Sequence, residues 1–223
     1  MIPEVVRPEV RKIAWTLWAG IALLLATLLL AYLLAQVRYR RSLGPPLPVI
    51  GQIADFALTN QNAQPITLES LKGQVWVGDI IFTTCPVQCL RMTRQMKQIQ
   101  DALPAQEGAR LVSLTTYPEY DTPEVLKAYA NRQGADPARW TFLTGPKAEI
   151  RKLAVDSLKL TAIDKPVADR ETPNDLFIHS TIFVLVDKHA RLRGVFDTLG
   201  EGVDSKAVTA QILAAIKRLN RES

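Results

Sequence analysis

Val75-Trp-Val-Gly-Asp79-Ile-Ile-Phe82-Thr-Thr-Cys85-Pro-Val-Gln-Cys89 is an apolar run that breaks into a turn holding the only 2 cysteines of the chain. A run of this length and composition, stopped by Thr-Thr and Pro, predicts a buried strand over residues 75–82. Pro86 suits a first helical position, and the pattern beyond it predicts a helix over residues 86–103. Both sulfurs then lie at a strand-to-helix turn, where free backbone N–H groups and the positive helix end favour a thiolate. Residues four apart on a helical turn have Cβ atoms about 5–6 Å apart, close enough for one soft ion to bridge. A disulfide needs Cβ atoms nearer about 4 Å and so a local adjustment. Two buried structural cysteines are the third reading, though a Thr-Thr-Cys-Pro turn is an awkward place for core.

Toward the N-terminus, residues 13–37 carry no charged side chain. That is long enough to span a bilayer, with Trp15 and Trp18 near one interface and Tyr32 and Tyr39 near the other. A cleaved signal peptide is the rival, with Leu33-Leu-Ala35 as its cleavage region, but the run exceeds the usual apolar core of about 7–15 residues. An uncleaved anchor is the expectation. Arg7, Arg11 and Lys12 on one side balance Arg38, Arg40 and Arg41 on the other, so charge leaves the orientation open. The expected organisation is an N-terminal tail over 1–12, a transmembrane anchor over 13–37, a basic and proline-rich linker over 38–49, and one domain over 50–223.

The net charge of +5 belongs to the anchor's flanks: 6 of the 27 basic residues and 2 of the 22 acids fall within the first 41 positions. The remainder is nearly neutral and shows no basic stripe with interleaved aromatics, which argues against nucleic acid as a partner. Within the domain, residues 53–58 and 66–68 read as a small N-terminal hairpin, followed by the strand at Val75 and its helix. Then come a strand at 110–116, a helix at 122–133 opened by Asp121-Thr-Pro, a strand at 140–143 and a helix opened by Pro146. Residues 177–186 and 192–198 read as a hairpin, and 203–219 as an amphipathic helix. This order predicts an α/β, thioredoxin-like fold, a central mixed sheet flanked by helices.

At this point the chain resembles the SCO/SenC family, membrane-tethered thioredoxin-fold domains implicated in building the copper sites of cytochrome c oxidase. The resemblance covers about 50–220. It rests on Phe82-Thr-Thr-Cys85-Pro-Val-Gln-Cys89, on Tyr120-Asp-Thr-Pro-Glu-Val-Leu-Lys-Ala-Tyr129, on residues 140–145, and on His179-Ser-Thr followed by Leu185-Val-Asp187. It implies copper as the bound metal and Cys85, Cys89 and His179 as its ligands. Two thiolates and an imidazole also form a soft site suited to Cu(I), whereas zinc would prefer a fourth ligand. The resemblance further implies a redox role for Asp79, since thioredoxins often carry a buried Asp beneath the dithiol. The other reading of Asp79 is a strand residue facing a Lys or Arg.

Other metal candidates are weaker. Met92 and Met96 follow the cysteines at helical spacing but read as packing, and His189, in the hairpin turn, reads as solvated. Residues 158–176 read as a long connection that lets His179 approach or leave the sulfurs. Three positions depart from the family pattern: Leu90 stands where Pro is common, Tyr117-Pro118 where Asp-Pro is usual, and Ile178 where an Asp often precedes the histidine. The last removes a carboxylate that would orient the imidazole.

Two functions follow. One is a metallochaperone passing copper to the copper-bearing subunit of a membrane oxidase. The other is a membrane-tethered thiol–disulfide oxidoreductase with Cys85 as nucleophile and Cys89 as resolving thiol. A peroxidase is a weaker third. The anchor and the resemblance together place the domain on the exported, periplasmic side of the inner membrane.

Overall fold

The computed structural model describes residues 7–42, 46–85, 87–104, 108–170 and 176–222, with side chains from 15 to 38 in the first of these. Pro86 and residues 171–175, both part of the expectations above, lie outside the described residues. The chain divides into two units, Met1–Pro46 and Leu47–Ser223.

The first unit is one helix, α1 (Arg7–Ser42). Its segment Trp15–Arg38 is long and apolar enough to cross a membrane, and none of it is buried within the protein. At 1.5 Å per residue those 24 residues extend about 36 Å, more than the roughly 30 Å of a hydrocarbon core.

In the second unit the elements run β1 (Gly51–Gln52), β2 (Ala57–Asn60), β3 (Pro65–Thr67), α2 (Leu68–Leu71), β4 (Val75–Ile81), α3 (Gln88–Ala102), β5 (Ala109–Thr115), α4 (Pro123–Arg132) and β6 (Trp140–Thr144). They continue as α5 (Lys147–Arg151), a π-helical turn Lys152–Ser157, β7 (Ala162–Asp164), β8 (Phe177–His179), β9 (Ile182–Val186), β10 (Arg191–Asp197) and α6 (Ser205–Leu219). The described strands form a mixed eight-stranded sheet in the order β1-β10-β9-β4-β5-β6-β2-β3, with β7 and β8 as a separate pair. β4 pairs parallel to β5 and antiparallel to β9, and so lies in the interior of the sheet.

Every residue of β4 is buried, which explains why its sequence is apolar without alternation: both faces of the sheet are covered. Val75, Val77 and Ile81 pack with Met92, Met96 and Ile99 of α3 and Ile212 and Ile216 of α6. Trp76 and Ile80 face the other way, onto Ile150, Leu153 and Val184. Met92 and Met96 are therefore core residues. Helix starts follow the sequence: the Thr122 hydroxyl accepts from the Val125 N–H and Pro123 opens α4, while the Asp204 carboxylate accepts from the N–H groups of Lys206 and Ala207.

Three expectations need correction. The N-terminal hairpin exists, but it pairs Ala57 with Thr67 and Leu58 with Ile66, leaving residues 53–56 outside the ladder, with Ile53 and Phe56 packed instead into the core. The run 177–186 is not one strand. It breaks at Ser180-Thr181, and the chain leaves the β7–β8 pair for the main sheet. The connection before His179 is not structureless, because Ala162 pairs with His179 and Asp164 with Phe177. Apolar content alone could not show the break, because Phe177 and Ile182 are compatible with one continuous strand or with two.

Candidate metal centre

The cysteine turn takes its form from β4 below and α3 above. α3 begins at Gln88, two residues later than expected, so Cys89 sits in the first helical turn while Cys85 precedes the helix. The two sulfurs thus meet through the turn rather than across a helical face. The Cys89 N–H donates to the Cys85 sulfur at 3.4 Å, and the Phe82 N–H donates to the Cys89 sulfur at 3.4 Å. Cys85 is half-buried and Cys89 fully buried; both are free thiols.

The histidine arrives from β8. Its Nε2 lies 3.3 Å from the Cys89 sulfur, and its Nδ1 lies 3.2 Å from the Ser180 carbonyl. A carbonyl only accepts, so Nδ1 carries the proton and the Nε2 lone pair faces the sulfurs. The Phe82 ring stands edge-on to the imidazole, and Phe177 packs on Phe82 with centroids 5.2 Å apart. From α5, Lys147 reaches over the Phe177 ring and binds the Asp164 carboxylate at 2.7 Å, fixing both strands of the histidine-bearing pair. One Sγ from each cysteine and one histidine nitrogen lie within 4.8 Å of one another. These are soft and borderline donors, the set that suits Cu(I). His189 is exposed in the β9–β10 turn and lies outside this group.

The two thiols are electrostatically unlike. Hydrogen bonding from the Cys89 thiol is the main cause that brings Cys85 down to a pKa of about 4, against the opposing effect of burial and with help from the Cys89 and Val87 N–H groups. Burial is the main cause that pushes Cys89 well above the ordinary thiol range, reinforced by the neighbouring Cys85. Iodoacetamide at pH 5.5 is therefore expected to modify Cys85 alone, at a rate nearly constant up to pH 7.5. A thiol of ordinary pKa 8.5 would accelerate about a hundredfold over the same range. Peptide mass mapping checks this, and a rate that climbs with pH would refute the thiolate assignment.

Among the described residues Asp79 meets no Lys or Arg. It is fully buried, and among those residues neither carboxylate oxygen has a hydrogen-bond partner. Burial raises its pKa to about 7. A further residue, Asp121, goes beyond what its place in the Asp-Thr-Pro helix start indicates. Buried in the floor of the site, it accepts from the Thr83 N–H at 3.1 Å, from the Thr83 hydroxyl, and from the Thr115 hydroxyl at 2.5 Å. It ties the cysteine turn to the end of β5. Its sequence signal was the Thr-Thr before Cys85, two polar residues at the end of an apolar strand that call for a buried acceptor. Of the departing positions, Ile178 is exposed, and the Ser180 carbonyl supplies the orienting contact to the imidazole.

A family model for SCO1/SenC matches residues 50–217, the region that contains all of this geometry. The chain belongs to the SCO1/SenC family. The SCO1 protein homolog of Bacillus subtilis is 33% identical over 172 residues, covering 74% of this chain and 86% of that protein. BsSco, described as a member of the Sco family of cytochrome c oxidase assembly proteins with a disulfide switch, matches with TM-score 0.64 and 26% identity. That match covers 80% of this chain and all of the BsSco chain (100%). ScoI of Bradyrhizobium japonicum, solved with copper bound, has the same fold with TM-score 0.56 and 24% identity over 75% of this chain and 99% of its own. The thioredoxin-like SCO1/SenC fold thus places the cysteine turn at the end of β4 and the histidine on the short pair beside it.

Proposed function

We propose that this SCO1/SenC protein is a membrane-anchored copper chaperone that carries Cu(I) on Cys85, Cys89 and His179. It delivers the ion to the copper-bearing subunit of a membrane oxidase on the exported side of the inner membrane. In this reading 13–37 is the anchor, 38–49 the linker and 50–223 the working domain. The observation that carries it is the convergence of two sulfurs and an imidazole nitrogen within 4.8 Å. Copper is cargo, and release needs a ligand that is reached first from outside. Cys85, the half-buried member, meets an incoming thiolate, while Cys89 and His179 hold the ion from the buried side until exchange is complete. Cu(I) keeps its oxidation state through such an exchange.

The unlike thiols favour a second activity on the same residues. A low-pKa Cys85 attacks a partner disulfide as thiolate, and Cys89 resolves the mixed disulfide, leaving the partner reduced and Cys85–Cys89 oxidised. The deciding experiment is anaerobic titration of the reduced full chain with Cu(I) against a competing chelator. One ion per chain is expected for the wild type and none for the Cys85→Ser/Cys89→Ser variant. Weak binding that is indifferent to the cysteines would overturn the chaperone reading.

A further inference from the structure

We propose that the cavity between α5 and the β7–β8 pair binds a small organic monocarboxylate with an apolar body, and that the bound acid braces the strand that carries His179. The inference rests on the chaperone reading and adds a regulator to the same site. The cavity measures about 380 Å³ and lies between Lys147, Ile150 and Arg151 of α5 and Ala162, Asp164 and Phe177 of the pair. Sites for small ligands occupy about 300–1,000 Å³, so there is room for a short chain or a single ring.

The lining selects a monoanion. Ile150, Ala162 and Phe177 give it apolar walls. Lys147 is already committed, because its amino group binds the Asp164 carboxylate at 2.7 Å and lies 3.9 Å from Glu119. Arg151 follows four positions later on the same face of α5 and has no carboxylate partner among the described residues. Its planar guanidinium offers a fork of N–H donors that matches the two oxygens of a carboxylate. With Lys147 offset by Asp164, the lining is left with the charge of Arg151, which asks for one negative charge on an otherwise apolar molecule. Inorganic phosphate brings no apolar surface to Ile150 and Phe177.

The cavity is coupled to the metal centre through the geometry of the pair. Residues directly opposite in an antiparallel ladder point to the same face. Ala162 stands opposite His179 and Asp164 opposite Phe177, so the face that lines the cavity is also the face that presents the imidazole to the sulfurs. Ile163 and Ile178 point the other way and are exposed. Across the cavity, Lys147 joins α5 to the pair through Asp164 and over the Phe177 ring at 5.5 Å. An acid seated there packs on Phe177 and Ala162 while its carboxylate holds Arg151, which ties the pair to α5 a second time. It favours the closed pair, and by linkage it lengthens the stay of Cu(I).

The test uses the full chain in detergent micelles, with benzoate as the probe, benzyl alcohol as its neutral counterpart and inorganic phosphate as a plain anion. Benzoate is expected to slow hydrogen exchange at 162–164 and 177–179 of the metal-free chain about threefold or more, and the other two to leave it unchanged. Arg151 is exposed, so Arg151→Gln keeps the fold; it should weaken the apparent benzoate affinity about tenfold or more. Benzoate should also slow Cu(I) transfer to a chelator about threefold or more in the wild type and not in Arg151→Gln. Absence of protection by benzoate, equal protection by benzyl alcohol or phosphate, or protection that survives Arg151→Gln overturns the site. Protection without slower transfer overturns the brace. A chain that takes up no Cu(I) removes the chaperone reading alone, and exchange in the metal-free chain still decides the cavity.

Discussion

His179→Ala is expected to weaken Cu(I) binding by tenfold or more while leaving disulfide exchange through Cys85 within about twofold. Each decade of affinity corresponds to about 1.4 kcal/mol, a modest demand for losing one of three ligands. The split follows from geometry. Nε2 lies 3.3 Å from the Cys89 sulfur with its lone pair directed at the cluster, whereas attack on a disulfide needs only the Cys85 thiolate, whose low pKa owes most to Cys89. Competition with a chelator measures the first quantity, and reduction of a small aromatic disulfide measures the second. Loss of exchange with retained copper affinity would reverse the roles assigned here and make the histidine a redox residue.

Asp79→Asn is expected to stabilise the reduced, metal-free protein at pH 8 and to have little effect near pH 4. The carboxyl has a folded-state pKa of about 7 against 3.8 unfolded. Between those values the folded state holds a proton that the unfolded chain has released. Wild-type stability therefore falls as pH rises through the window, and the full penalty stands above pH 7. Three units correspond to about 4 kcal/mol at most, so the gap between variant and wild type should climb by about 1.4 kcal/mol per pH unit and then level off. Urea unfolding at several pH values measures it, and a flat difference from pH 5 to 8 would refute the assignment. The same substitution should slow the resolving step about tenfold or more, because Asp79 is electrostatically coupled to the Cys89 thiol and its pKa of about 7 suits a group that accepts a proton at neutral pH. A protein that keeps so costly a carboxyl without a hydrogen-bond partner is trading stability for a group that titrates near neutrality.

Much of this was legible in the sequence for identifiable physical reasons. The strand over β4 declared itself because burial on both faces demands an unbroken apolar run. Thr122-Pro123 marked the start of α4 because an orphan N–H needs a side-chain acceptor. The cysteines and His179 stood out through scarcity and chemistry. The break at Ser180-Thr181 was not legible, since two short strands in different sheets read like one long one. Asp121 was read only as a helix-start residue, because nothing local reveals that its carboxylate reaches back 38 positions to Thr83. The N-terminal hairpin was displaced by four residues at its start, because Ile53 and Phe56 are apolar for a core contact rather than for a ladder.

In the proposed chaperone, the small β7–β8 pair would make the copper site a clasp with one rigid jaw and one hinged jaw. Both sulfurs stand on the main sheet and its helix, but the imidazole rides on a ladder of three residue pairs that the chain abandons at Ser180. Opening so short a ladder costs far less than unfolding the sheet, and it withdraws one ligand while leaving the other two in place. Residence time of an ion held there would then be set by the local stability of this pair. Substitutions at its fastenings, Lys147 and Phe177, would tune how readily the protein lets go without touching any atom that holds the metal.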